Sequence, residues 1–106
     1  MLPTVEEIFW QTIDDWKTRQ ARIRILCRQQ PREFCFTAKV KTFAGTSVTF
    51  YDPETDQEQR IDFHGAEFRQ LDPELEAKIA FGAVWRSENL LEPHVSCVLK
   101  ELCEAN

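Results

Sequence analysis

The stretch Arg22-Ile23-Arg24-Ile25-Leu26-Cys27-Arg28, followed after a Gln-Gln-Pro break by Phe34-Cys35-Phe36-Thr37-Ala38-Lys39-Val40-Lys41, decides the fold. In both halves an apolar residue alternates with a polar one, the period of a strand with one buried face. If the two apolar faces must coincide, Ile23 opposes Ala38, Ile25 opposes Phe36 and Cys27 opposes Phe34. A slip of one residue would turn every apolar side chain to solvent, so the pattern nearly fixes the register. It also places Cys27 inside and Cys35 on the opposite face, where the two cannot form a disulfide.

Downstream, Phe43-Ala44-Gly45 is expected to form a three-residue hairpin loop, with Gly45 in the left-handed region. Val48 and Phe50 then face the core, opposite Val40 and Ala38. Asp52 to Gln57 forms an acidic turn opened by Pro53. Ile61 and Phe63 point inward on the returning strand. At His64-Gly65 the alternation jumps phase, the mark of a bulge or tight turn, before Ala66, Phe68 and Leu71 resume.

Upstream, Thr4 and Glu7 have capping-box spacing, and Glu6 and Glu7 suit the positive end of a helix dipole. Val5, Ile8, Phe9, Ile13 and Trp16 make one apolar stripe, with Asp14, Asp15 and Lys17 facing away. Trp10 lies off the stripe and is assigned to the edge of the core. Beyond Leu71, Asp72-Pro73 starts a short helix. Ile79 to Trp85 reads as a further strand, apolar on both faces. Pro93 opens a last helix, with Val95, Val98, Leu99 and Leu102 on one side. The expected fold is therefore α+β: an N-terminal helix, a small strongly bent antiparallel sheet or SH3/Sm-like barrel, and a C-terminal strand and helix. With 106 residues and 42% hydrophobic content, residues 1–106 read as a single domain.

Formal net charge is −5, yet it is unevenly distributed. Lys17, Arg19, Arg22, Arg24, Arg28, Arg32, Lys39 and Lys41 fall in one segment with Glu33 as its single acid, giving that segment +7 and the remainder −12. The outward residues Arg22, Arg24, Arg28, Lys39 and Lys41 thus form a candidate basic face. Two partners suit it: phosphates, as in RNA, or an acidic protein surface within the fold or on another copy.

The segment Phe63-His64-Gly65-Ala66-Glu67-Phe68-Arg69-Gln70-Leu71 has the spacing of the second motif of the Sm-like family, with His64 in place of Arg. Together with a leading helix and a run of bent strands, residues 4–72 resemble that family of small ring-forming, RNA-binding barrels; residues 73–106 would be an extension. The resemblance implies a homo-oligomer and RNA as a partner. Three positions depart from the family's first motif: Ala38 stands for Gly, Ala44 for Asp and Ser47 for Asn.

Other chemistry has less support. His94 and Cys97, spaced i and i+3 on the expected last helix, are the alternative: a small cysteine-dependent enzyme. His64 is a possible turn-site ligand contact. The four cysteines contain no C-x-x-C pair, and the Asp52, Glu54, Asp56, Glu58 cluster lacks the Gly and distal Glu of a calcium loop, so no metal and no cofactor is expected. The N-terminal residues lack a signal-peptide pattern and no apolar run spans a bilayer, which points to a cytoplasmic chain without a membrane partner. The sequence reading therefore favours a non-catalytic binding and assembly module that self-associates through sheet edges, with a protein–protein adaptor free of nucleic acid as a further alternative.

Overall fold

The computed structural model describes residues 2–29, 32–71, 80–85 and 95–102. Among them are one helix, α1 (Val5–Arg19), and seven strands: β1 (Ile23–Gln29), β2 (Arg32–Ala44), β3 (Ser47–Tyr51), β4 (Glu58–Asp62), β5 (Glu67–Leu71), β6 (Ala80–Trp85) and β7 (Val95–Glu101). All form one antiparallel sheet in the order β4-β3-β2-β1-β7-β6-β5. Two meanders, β1 to β4 and β5 to β7, are joined where β1 pairs with β7.

The helix begins where Thr4 Oγ1 accepts the Glu7 backbone N–H at 3.1 Å, one half of the expected capping box. It ends at Gln20, which is left-handed with φ 55°. Phe9, Ile13 and Trp16 are fully buried, as the stripe requires, and Val5 at its start is exposed. Trp10 is partly buried at the rim of the core, its ring 6.2 Å from that of Phe43 and 6.5 Å from that of Phe68.

Those two contacts also report the curvature of the sheet. Phe43 lies on β2 and Phe68 on β5, four positions apart in the sheet. A flat sheet would hold those strands about 19 Å apart, yet one indole touches both rings. The sheet curls round α1, and Phe9 sits at the focus, with ring contacts to Phe63, Phe68 and Phe81 at 4.5–5.4 Å. The curl stops short of a barrel: β4 and β5 are the two edges and do not pair with each other. They are consecutive in the chain and are joined by a tight turn at His64-Gly65, where Gly65 has φ +78° and the Ala66 N–H donates to the Phe63 carbonyl at 3.1 Å. The expected phase break is thus a turn between sheet edges.

The β1–β2 register is the one read from the alternation: Ile23 with Ala38, Ile25 with Phe36, Cys27 with Phe34. The β2–β3 register differs. Phe50 opposes Val40 and Val48 opposes Phe43, because the ladder shifts between Val40 and Thr42. The loop is shorter than expected, with Gly45-Thr46 as its two central residues between the paired Ala44 and Ser47. Gly45 has φ +59°, as the first central residue of a type II′ turn requires. The irregularity adds one residue to β2 and thereby swings Phe43 onto the inner face, within reach of Trp10.

The largest correction is at the C-terminal end. Residues 95–101 are extended and form β7, between β1 and β6; they are not a helix. Cys97, Leu99 and Glu101 point inward and oppose Cys27, Ile25 and Ile23. The apolar set at 95, 98, 99 and 102 fits a helical stripe, but two of its members, Val98 and Val95, are β-branched residues that suit a sheet. The strand expected over Ile79–Trp85 is present as Ala80–Trp85, paired on both sides within the chain. Ile79, the short helix expected from Asp72, Pro93 and His94 lie outside the described residues.

Candidate functional site

Each of the five cations of the sequence-derived face lies on or beside β1 and β2, and the fold sorts them into two groups. Arg28 forms an ion pair with its register partner Glu33 at 3.2 Å, both exposed. Lys41, at the β2 irregularity, forms an ion pair with Glu58 at the start of β4, which raises its pKa above the ordinary ammonium value. Among the described residues, Arg22, Arg24 and Lys39 have no ion-pair partner. Arg22 and Arg24 are exposed and Lys39 is half-buried.

The acidic turn supplies the surroundings. Asp52 organises it: its carbonyl accepts the Asp56 N–H at 2.8 Å and its carboxylate accepts the Glu54 N–H at 2.9 Å. This folds residues 52–57 back towards β2. Asp52, Pro53 and Glu54 then form one wall of a cleft of about 390 Å³ whose other wall is Arg22, Phe36, Thr37, Ala38 and Lys39. A second cleft, of about 550 Å³, is lined by Gln20, Lys41, Tyr51, Asp56 and Glu58. The Tyr51 hydroxyl donates to Gln20 Oε1 at 2.6 Å across it. The basic segment and the acidic segment, separate in the chain, are therefore neighbours in the fold.

The register also brings in a cation that sequence reasoning missed. Lys100 of β7 is the partner of Arg24. Assigned to a helix, it had no relation to the strip; on a strand, it extends the Thr37–Arg24 row by one position. His64 is not part of this group. It occupies the β4–β5 turn, where its N–H donates to Asp62 Oδ1 at 3.0 Å and its carbonyl accepts from Trp85 Nε1 at 3.1 Å.

Cys97 sits on a strand, so the helical spacing that would have set it one turn from His94 does not hold. Its neighbour is Cys27, with Sγ atoms 3.4 Å apart. The contact with Cys27 and burial push the Cys97 thiol well above its ordinary pKa, whereas the same contact lowers that of Cys27. A raised, buried thiol is the reverse of an activated nucleophile.

No group of three or more metal-binding side chains occurs among the described residues. No helix among them is long and apolar enough to cross a membrane. Neither a protein-family model, nor a curated protein, nor a solved structure matches the chain.

Proposed function

We propose that this chain is a non-catalytic binding module whose outer β1–β2 face, centred on Arg22, Arg24 and Lys39, receives an acidic protein segment. The observation that carries this reading is the uneven pairing of the strip. Arg28 and Lys41 are engaged by carboxylates of the same chain, whereas Arg22, Arg24 and Lys39 keep their charge for another molecule. The cleft beside them has Pro53 for apolar contact and Thr37 for hydrogen bonding. Its other wall carries Asp52 and Glu54. That mixture of signs favours a short segment with an ordered charge pattern over a continuous polyanion, which would run against both carboxylates and the net charge of −5. RNA, the partner that the Sm-like resemblance implies, is the less favoured occupant on this ground.

The test is fluorescence anisotropy with a labelled acidic peptide and a labelled single-stranded RNA, each over a range of salt. The peptide is expected to bind, to weaken as salt rises, and to be released by the double substitution Arg24→Glu and Lys39→Glu. Peptide binding that survives the double substitution removes the reading. Tighter binding of RNA than of peptide, lost in the same variant, would replace the partner with nucleic acid. Assembly through sheet edges is a second reading, motivated by β4 and β5 each pairing on one side only among the described residues. It predicts a solution mass above that of one chain by light scattering. The exposed Glu58, Arg60 and Asp62 on β4 work against it, since charge is a common way of blunting an edge.

A further inference from the structure

We infer that Cys27 and Cys97 form a redox modification site, a dithiol that a peroxide converts to a disulfide across the β1–β7 seam. This inference is independent of the proposed binding face. The two residues are directly opposed on antiparallel strands. Such positions hold Cα atoms about 4.5–5.5 Å apart, inside the range that a disulfide spans. Both side chains lie on the inner face, and their sulfurs are already at 3.4 Å. Closing to a bond of about 2.05 Å asks for side-chain adjustment, not movement of the strands. Cys35, one position from Phe34 and Phe36, is exposed on the outer face and has no such partner among the described residues.

The two thiols are not equivalent, and their difference sets the order of events. Cys27 is only partly buried, near the end of β1 where its neighbour Phe34 is 51% exposed. Cys97 is buried. The contact with Cys97 lowers the Cys27 pKa, which favours the Cys27 thiolate. Cys27 is therefore the attacking sulfur. Its thiolate displaces hydroxide from hydrogen peroxide, breaking the O–O bond and forming a sulfenic acid. The hydroxide takes up a proton to become water. Cys97 then attacks the Cys27 sulfur; the S–O bond breaks, the Cys97 proton leaves with the departing oxygen, and a second water is released. Two thiols lose two electrons and two protons in total, and one peroxide is reduced to two waters.

The consequence is mechanical. The β1–β7 pairing is where the two meanders meet. A bond there closes a loop of 70 residues in sequence separation, which raises the thermal midpoint by an amount on the order of 10 °C.

The experiment uses the full chain carrying Cys35→Ser and Cys103→Ser, which removes the other two thiols. The folded protein is treated with hydrogen peroxide, quenched with an alkylating reagent and weighed by mass spectrometry. Expected are a loss of two hydrogens, no alkylation, a linked Cys27–Cys97 peptide after digestion, full reversal by dithiothreitol, and the rise in thermal midpoint. In Cys97→Ala, a dimedone-type reagent should trap the sulfenic acid on Cys27. Two alkylated thiols after peroxide treatment would overturn the inference. So would oxidation of Cys27 to sulfinic acid without a cross-link, or a cross-link that forms in urea and not in the folded chain. The mass measurement on the parent decides the matter even if Cys97→Ala does not fold.

Discussion

Two charged regions of this molecule behave in opposite ways. On the outer strip, Lys41–Glu58 and Arg28–Glu33 are exposed at both ends. On the inner side, the Glu101 side chain is only 3% exposed, and its carboxylate accepts from Trp16 Nε1 at 2.8 Å and from Arg19 at 2.6 Å. Arg19, itself 44% exposed, also holds Asp15 at 2.7 Å, and the two carboxylates raise its pKa further above the ordinary guanidinium value. Exposed pairs contribute at most about 1 kcal/mol because water competes for both partners. A buried carboxylate can leave water only if its lone pairs are filled, so its partners become obligatory. Charge at the surface is exchangeable, and charge beneath the helix is a pin that ties α1 to β7.

The comparison can be broken most directly at the pin. Glu101→Ala leaves the Trp16 N–H without this acceptor inside the core and should cost about 3 kcal/mol, read as a lowered denaturant midpoint. Trp16→Phe keeps the ring but removes one charge-assisted hydrogen bond, at about 2 kcal/mol. An effect of either change no larger than that of a surface substitution would erase the distinction between the regions. A third test sharpens it through pH. Asp62 accepts from the Thr46 hydroxyl at 2.8 Å and from the His64 N–H at 3.0 Å, which holds its pKa below the ordinary 3.8. A depressed folded-state pKa gives stability that is fully present above about pH 4 and is lost as pH falls through the folded value. Asp62→Asn should therefore lower stability at neutral pH and flatten the acid limb, with the two profiles converging below the folded-state pKa of Asp62. At the small end, Lys41→Ala should leave the denaturant midpoint no further changed than an ordinary surface substitution does. Arg24→Glu with Lys39→Glu should also stay within about 0.5 kcal/mol while altering binding.

The same contrast explains what was legible in the sequence. The β1–β2 register followed from alternation because every inward position there is apolar. In β7 the inward set is Cys97, Leu99 and Glu101. A charged residue at the third position breaks the alternation, and the helical stripe at 95, 98, 99 and 102 takes its place. Nothing local to Glu101 signals burial, since Trp16 and Arg19 are 85 and 82 residues away in the chain. The β2–β3 faces were legible but their pairing was not, because Lys41 and Thr42 carry no mark of an added residue in the ladder. For the candidate site, the sequence located the five cations on or beside β1 and β2. The pairing of Arg28 with Glu33 and of Lys41 with Glu58 depended on tertiary register, as did the addition of Lys100. The Cys27–Cys97 contact was hidden for the same reason: a helical Cys97 has no strand to face.

The position of β7 has a further consequence for biosynthesis. Strand β1 emerges early, yet its second neighbour is complete only when Glu101 has been added. Until then a hydrogen-bonding edge flanked by Ile23 and Ile25 stands open in the middle of the nascent sheet, where another nascent chain can add to it. Shortening the chain ahead of Val95 would make that interval permanent, and such fragments should accumulate as aggregates instead of smaller folded proteins.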